Sequence, residues 1–284
     1  MFFMYFTNYG YRLNQIKKGS DQHWLFLPGG PGLGSEYLAS FCDKLTLQGT
    51  ISLVDFPKDG NNSEGQLDFV SWQEGLISLL KSLNKPILVT HSFSGMFTLN
   101  FPEIENHLSG LVLMNTTTTN SFFQHVNEMR QKYNLPDLVP AASQYHLYPS
   151  NETYKKFWDT YKHYCFTREE LPIGEQMMEL FAYNNESYHY AIEHFYNDFH
   201  YKWHPQTIPA MTIASELDYI CPPAIFIQDK NFQCQNVINK VIYKAGHCPW
   251  ILHLEQVQKC FDEFSGMIQE INMERILYKL ISQN

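Results

Sequence analysis

No apolar run in this 284-residue chain approaches the roughly 20 residues that a membrane-spanning helix requires, so no membrane partner is expected. Nor is there a dense cluster of lysine and arginine. Twenty basic residues against 29 acidic ones leave a formal charge of −9, which disfavours a nucleic-acid partner. The six cysteines (Cys42, Cys165, Cys221, Cys234, Cys248 and Cys260) are scattered, with no C-x-x-C pair. Met1–Phe6 is apolar but lacks a basic flank and is too short for a secretory signal, so the cysteines read as reduced thiols and the expected location is the cytoplasm. Metal motifs are missing as well: His189 and His194 are five apart, which does not place them on one helix face, and no H-E-x-x-H occurs. What remains is a chain long enough to bury a large core as one domain, or as one domain carrying an insertion.

One stretch organises what is present, Pro86-Ile-Leu-Val-Thr-His-Ser-Phe-Ser-Gly-Met-Phe97. Ile87, Leu88 and Val89 form a short apolar run of the kind shown by a strand buried on both faces. Thr90-His91-Ser92-Phe93-Ser94 follows, and Gly95-Met96-Phe97-Thr98-Leu99 returns to helical spacing. A strand that turns abruptly into a helix, with a serine at the corner, is the nucleophile elbow of α/β-hydrolases. The turn exposes the hydroxyl above the sheet, and the helix start directs N–H groups toward it, so the N–H of Phe93 is an expected oxyanion donor. The elbow pattern places small residues two before and two after the nucleophile, and here those places hold Thr90 and Ser94. Choosing Ser94 instead would leave Met96 crowding the turn, which favours Ser92. The bland alternative is a serine that only caps the helix.

Strand-like runs at Tyr11–Lys17, His23–Leu27, Thr50–Asp55 and Ser109–Asn115 alternate with helical spacing over Ser35–Leu47 and Leu67–Leu83. Ser35 is the expected cap of the first of these helices, and Met1–Phe6 reads as an edge strand. Such alternation predicts a doubly wound, mostly parallel α/β sheet. Pro28-Gly-Gly-Pro-Gly-Leu-Gly34 interrupts it as a loop with an open backbone. Phosphate binding is a competing use of that loop, but neither G-x-G-x-x-G nor G-x-x-x-x-G-K-[ST] is present. From Thr116 to Pro205 the character changes, with helical patches, few strand-like runs and twenty aromatic residues in ninety positions. The expected organisation is a core of residues 1–115 and 206–284, with residues 116–205 inserted as a helical cap. Strands resume at Ile208–Ala214 and Val237–Tyr243, with a helix from about Pro222 and a terminal helical region broken near Gly266.

A nucleophilic serine needs a base to take its proton and a third group to orient that base. In an α/β-hydrolase these follow in the order acid, then histidine, on loops after the last strands. Glu216 and Asp218 both lie just past the run ending at Ala214, and His247 lies just past the run ending at Tyr243. His91, directly before the elbow serine, is expected to serve packing rather than to act as the base.

From about residue 23 to 260 the chain resembles the proline iminopeptidase branch of the α/β-hydrolase superfamily. Gly29-Gly30-Pro31-Gly32 resembles that branch's His-Gly-Gly-Pro-Gly motif, with Pro28 in place of the histidine, and Asp55, Gly60 and Ser63 resemble its strand and turn before the second helix. Ser92, Asp218 and His247 fall on its triad positions, and Asp218-Tyr-Ile-Cys-Pro222 resembles its acid loop, which favours Asp218 over Glu216. The resemblance implies that the N–H of Gly30 is the second oxyanion donor beside Phe93. It also implies that Glu193, in Ala191-Ile-Glu-His-Phe-Tyr-Asn197, holds the free α-amine of a substrate; a second, assisting carboxylate is not placed by the resemblance, and Glu175 and Glu179 are the candidates for it. The implied activity is hydrolysis of a small amide or ester, on a small molecule or short peptide, through an acyl-enzyme and with no metal or organic cofactor. A carboxylesterase would share everything except the amine-binding glutamate. A non-catalytic ligand-binding protein on the same fold is the third expectation, favoured slightly by Thr90 and Pro28.

Overall fold

The computed structural model describes residues 3–20 and 22–282. Met1 and Phe2 of the expected edge strand, and Asp21 of the turn before His23, lie outside the described residues. The first part of the chain forms β1 (Phe3–Phe6), β2 (Arg12–Lys17), β3 (His23–Leu27), α1 (Ala39–Lys44), β4 (Thr50–Asp55), α2 (Phe69–Ser82), β5 (Pro86–His91), α3 (Phe93–Thr98) and β6 (Gly110–Met114). Five helices follow, α4 (Phe122–Tyr133), α5 (Val139–Leu147), α6 (Asn151–Cys165), α7 (Leu171–Met178) and α8 (Asn185–His194). The chain then returns through β7 (Ala210–Ser215), α9 (Ala224–Ile227), β8 (Val237–Ile242) and α10 (Trp250–Ser282).

The eight strands form one sheet in the order β1-β2-β4-β3-β5-β6-β7-β8. The first three in that order pair antiparallel, and β4 through β8 run parallel. Side chains of successive strand residues point to opposite faces, and both faces here are covered. Trp24, Phe26, Val89 and Met114 pack on one side with Phe41 of α1 and Phe261 and Phe264 of α10. Leu25, Leu27, Leu88 and Leu113 pack on the other with Trp72 and Leu76 of α2 and Phe97 of α3. Two-sided burial is why β4, β5 and β6 read as apolar runs rather than as alternating ones. Because β3, β5, β6, β7 and β8 are parallel, their C-terminal ends open on one edge of the sheet, where ligands bind in folds of this kind.

Between β6 and β7 the described residues add no strand to the sheet; one antiparallel bridge, Thr119 with His200, closes the base of the segment. Helix α6 starts with a capping box in which Ser150 and Thr153 satisfy each other's backbone N–H groups. No helix among the described residues is long and apolar enough to cross a membrane.

Two local expectations are corrected. The Ser35 hydroxyl caps no helix: Ser35 precedes a short 3₁₀ turn, its backbone N–H donates to the buried Asp55 carboxylate at 2.7 Å, and α1 begins only at Ala39 and covers six residues. The terminal helix does not break at Gly266; its non-helical residue is His253, with φ −120° and ψ 30°. One glycine costs a helix only about 1 kcal/mol relative to alanine, and buried Phe264 and Ile268 on either side of Gly266 hold the helix to the sheet.

Candidate active site

Strand β5 runs directly into Ser92, whose φ of 54° and ψ of −117° place a non-glycine residue in the left-handed half of conformational space. Such a backbone costs on the order of 1–3 kcal/mol and persists only where the surroundings impose it. Here the Ser92 N–H donates to Met114 O at 3.0 Å, and its carbonyl accepts from the Thr116 hydroxyl at 2.6 Å. The Ser92 hydroxyl does not cap α3, which removes the bland account of this serine. Ser94 is fully buried and engaged: its hydroxyl accepts from the His91 N–H at 3.0 Å and reaches Leu27 O at 3.1 Å and His91 O at 3.0 Å. Thr90 fits because its hydroxyl donates to Val112 O of the neighbouring strand at 3.0 Å.

Asp218 and His247 come together from loops 29 residues apart, with Oδ2 to Nδ1 at 2.8 Å. The same oxygen accepts from the side-chain N–H of Asn115 at 2.9 Å, while Oδ1 accepts from the N–H groups of Ile220 and Cys221, each at 2.9 Å. Burial would raise the carboxyl pKa, but the His247 ring, Asn115 and the Cys221 N–H outweigh it and hold Asp218 below the ordinary aspartate range. Glu216, the other acid considered, is exposed and accepts instead from the Lys244 N–H at 2.9 Å.

The glycine loop lies against the elbow: a side chain on Gly29 would meet Ser92 Cβ at 3.0 Å. The Gly29 N–H donates to the Tyr37 hydroxyl at 2.7 Å. Among the described hydrogen bonds, the N–H groups of Gly30 and Phe93 have no acceptor. The Tyr37 hydroxyl in turn donates to His91 Nδ1 at 2.7 Å, and His91 Nε2–H donates to the His247 carbonyl at 3.0 Å. A carbonyl can only accept, so this chain fixes the His91 tautomer. Burial, with the His247 ring nearby, pushes the His91 pKa down to about 3, which keeps the ring neutral. His91 is thus a strut between the glycine loop, the elbow strand and the histidine loop.

Ser92, Gly30 and His247 line one cavity of about 450 Å³, together with aromatic residues that include Tyr154, Phe157 and Trp158 of α6 and Tyr188 of α8. No aspartate, glutamate, lysine or arginine is among the described residues lining it. The structure does not bring Glu193 to this cavity. It lies on the outer face of α8 with its side chain 54% exposed, 3.3 Å from His189 Nε2 and 3.8 Å from His194 Nε2. Residues Tyr188 and Ile192 of the same helix face inward instead. Glu175 is paired with Lys162 at 2.7 Å on the surface, and Glu179 is exposed. Asp218, Cys221 and His247 place potential metal-ligand atoms within 4.8 Å of one another, but the closest contact there is the aspartate–histidine hydrogen bond.

Two residues of this site escape a reading of the sequence, Asn115 and Tyr37. Asn115 ends a strand and shows φ 44°, yet its partner is 103 residues away. Tyr37 carries no motif that marks it.

No protein-family model matches the sequence, and no curated protein does. Solved structures do. A proline iminopeptidase-related protein from Thermus thermophilus is 15% identical and superimposes with a TM-score of 0.68 over 94% of this chain and 98% of its own. A thermophilic esterase from Thermogutta terrifontis is 14% identical, with a TM-score of 0.69 over 94% and 99%. The proline iminopeptidase of Mycobacterium smegmatis is 17% identical, with a TM-score of 0.62 over 95% and 100%. Identities this low speak for fold alone, and with the strand order and parallel register above they settle it: the chain has the α/β-hydrolase fold, its mostly parallel sheet flanked by helices.

Proposed function

We propose that this protein is a serine hydrolase that transfers the acyl group of a small, neutral, largely apolar ester to water through an acyl-enzyme on Ser92. One observation carries the reading: a strained serine and an aspartate-bound histidine open into an aromatic cavity that, among the described residues, no aspartate, glutamate, lysine or arginine lines. Asp218 accepts from Nδ1–H of His247, which leaves Nε2 as the basic nitrogen. Nε2 takes the Ser92 proton as the hydroxyl attacks the ester carbonyl. The N–H groups of Gly30 and Phe93 supply the oxyanion donors, and stabilising charge that develops only in the transition state is a large part of catalysis. The imidazolium then protonates the departing alcohol, and water repeats the sequence on the acyl-enzyme.

The aminopeptidase reading needs a counter-charge for a protonated α-amine. Burying that cation among Tyr154, Phe157 and Tyr188 without one is prohibitive, and Glu193, the residue implied for this task, faces solvent. A binding protein without catalysis would have no use for the strain at Ser92. The test is labelling with a serine-directed fluorophosphonate together with turnover of p-nitrophenyl esters and of N-terminally unblocked aminoacyl amides. Label is expected on Ser92, lost in Ser92→Ala and kept in Ser94→Ala, with ester turnover falling by a factor on the order of 10³–10⁶ in Ser92→Ala. Absence of both labelling and ester turnover in the folded wild type overturns the hydrolase reading. Amide cleavage that collapses in Glu193→Gln while ester turnover survives restores the aminopeptidase.

A further inference from the structure

The backbone around His247 is held from two sides, and one of them is the cap. The His247 carbonyl is fixed by His91 from the core. Its N–H donates to Cys165 O, at the end of α6, at 2.7 Å. The preceding N–H, that of Gly246, is shared by both carboxylate oxygens of Glu170 at 3.1 Å each. A side chain at Gly246 would meet Cys165 O at 2.5 Å and Glu170 Oε2 at 2.6 Å, so only glycine permits this approach.

Glu170 is fully buried, and no cation lies within ion-pair distance of it among the described residues. Among the described residues its carboxylate otherwise accepts only from the Thr167 N–H at 2.8 Å, while the Thr167 hydroxyl accepts from the Glu170 N–H at 3.3 Å. That reciprocal pair has the bonding pattern of a capping box and closes the turn 167–170 that leads into α7. A box of this kind needs one carboxylate oxygen and one helix start; it does not need the reach to Gly246. Burying an uncompensated carboxylate is costly, and a charge-assisted hydrogen bond to a backbone N–H is the stronger kind. The structure therefore gives Glu170 a second task.

We propose that Glu170 is a positioning residue for the hydrolysis inferred above: through Gly246 it sets the height and orientation of the His247 ring, and so couples the cap to the catalytic base. The inference rests on His247 being that base. Glu170 touches neither substrate nor Ser92.

Glu170→Asp keeps the charge and can still cap Thr167, but is one methylene too short to reach Gly246. Glu170→Gln keeps the length but replaces the charged acceptor of the Thr167 and Gly246 N–H groups with a neutral amide oxygen. Thr167→Ala removes the hydroxyl side of the box and leaves the Gly246 contact in place. With sites counted by fluorophosphonate titration, both Glu170 variants are expected to lower kcat for a p-nitrophenyl ester about 10- to 100-fold, the scale of one charged hydrogen bond, with KM within about 2-fold. Thr167→Ala is expected to lower the melting temperature while keeping kcat within about 2-fold. The downfield proton resonance of His247 Nδ1–H gives a readout that needs no turnover. It is expected to shift or broaden in Glu170→Asp and to persist in Thr167→Ala. A kcat per titrated site and an Nδ1–H resonance both unchanged in Glu170→Asp overturn the positioning role. A wild type that shows the resonance but neither labels nor turns over overturns the hydrolase reading instead, and leaves the resonance comparison to decide the role of Glu170.

Discussion

At Asp218 four donors converge on two oxygens, and they are not equivalent. Ile220 and Cys221 belong to the acid's own loop, whereas Asn115 reaches it from the end of β6 and also donates to Ser215 at 2.9 Å. Asn115 therefore fixes the carboxylate relative to the sheet, and with it the oxygen that His247 uses. Asn115→Ala should raise the Asp218 pKa, since one of the groups holding it down is removed. It should lower kcat on a neutral ester by about 10- to 100-fold, the worth of one hydrogen bond to a charged group; a change below 2-fold would show that the acid's loop suffices. Asp218→Asn should cost far more, on the order of 10⁴-fold, because it leaves the wrong histidine tautomer. The Asp218–His247 pair and the sharp turn at Ser92 were legible because the chemistry proposed for them needs those residue types in that order at strand ends. Asn115 was not, because an asparagine closing a strand looks the same whether it faces solvent or a carboxylate 103 residues on.

Among the elements, the elbow shows where crowding really falls. The motif expects small residues flanking the serine at two positions either side, yet Thr90 is accommodated by a hydroxyl bond to Val112 O and Ser94 by bonds to Leu27 and His91. The tight points are Gly29 and Gly95. A methyl group on Gly95 would lie 2.6 Å from the Thr116 side chain, which is buried and holds the Ser92 carbonyl. Helix propensity alone favours alanine at Gly95 by roughly 1 kcal/mol, while overpacking a filled site costs typically 1–3 kcal/mol. The clash is expected to win. Gly95→Ala should lower stability in urea unfolding and reduce fluorophosphonate labelling at Ser92; a variant as stable as wild type would mean Thr116 moves aside freely. Strands β3 and β4 matched their expected bounds because their buried runs end sharply at proline, glycine or aspartate, whereas β5 runs past its apolar residues to His91. Short helices were less legible: α1 depends on Asp55 claiming the Ser35 N–H, a contact between separate elements that no local pattern records.

For the whole molecule, α8 and the residue before it meet the sheet side over the turn Phe56–Gly65, of which the sequence singled out Gly60 and Ser63 but not Asp59. Asp59 in that turn is fully buried beneath α8 and accepts from the Ser187 hydroxyl at 2.7 Å, 128 residues away, and from the Gly32 N–H at 2.6 Å. Its second oxygen has no partner among the described residues. Burial pushes its pKa up to about 7 despite the hydrogen bonds that oppose it. A carboxyl that titrates near 3.8 when unfolded and near 7 when folded binds its proton more tightly in the folded state. Stability is therefore lost as pH rises from about 4 to about 7, by an amount on the order of a few kcal/mol at roughly 1.4 kcal/mol per pK unit. His91 works in the opposite sense. Its pKa falls from 6.5 to about 3 on folding, so stability is lost as pH drops below 6.5. In the wild type the two slopes oppose each other between about pH 4 and 6.5, which flattens the profile. Asp59→Asn keeps an acceptor for Gly32 and Ser187 and removes the titration. Its stability relative to wild type should be greater at pH 8 than at pH 5, and its own acid-side slope should be steeper because His91 is left unopposed. Urea unfolding at the two pH values measures both effects. An equal difference at pH 5 and pH 8 would mean that Asp59 stays ionised in the folded protein, with its charge relieved by groups other than Ser187 and Gly32.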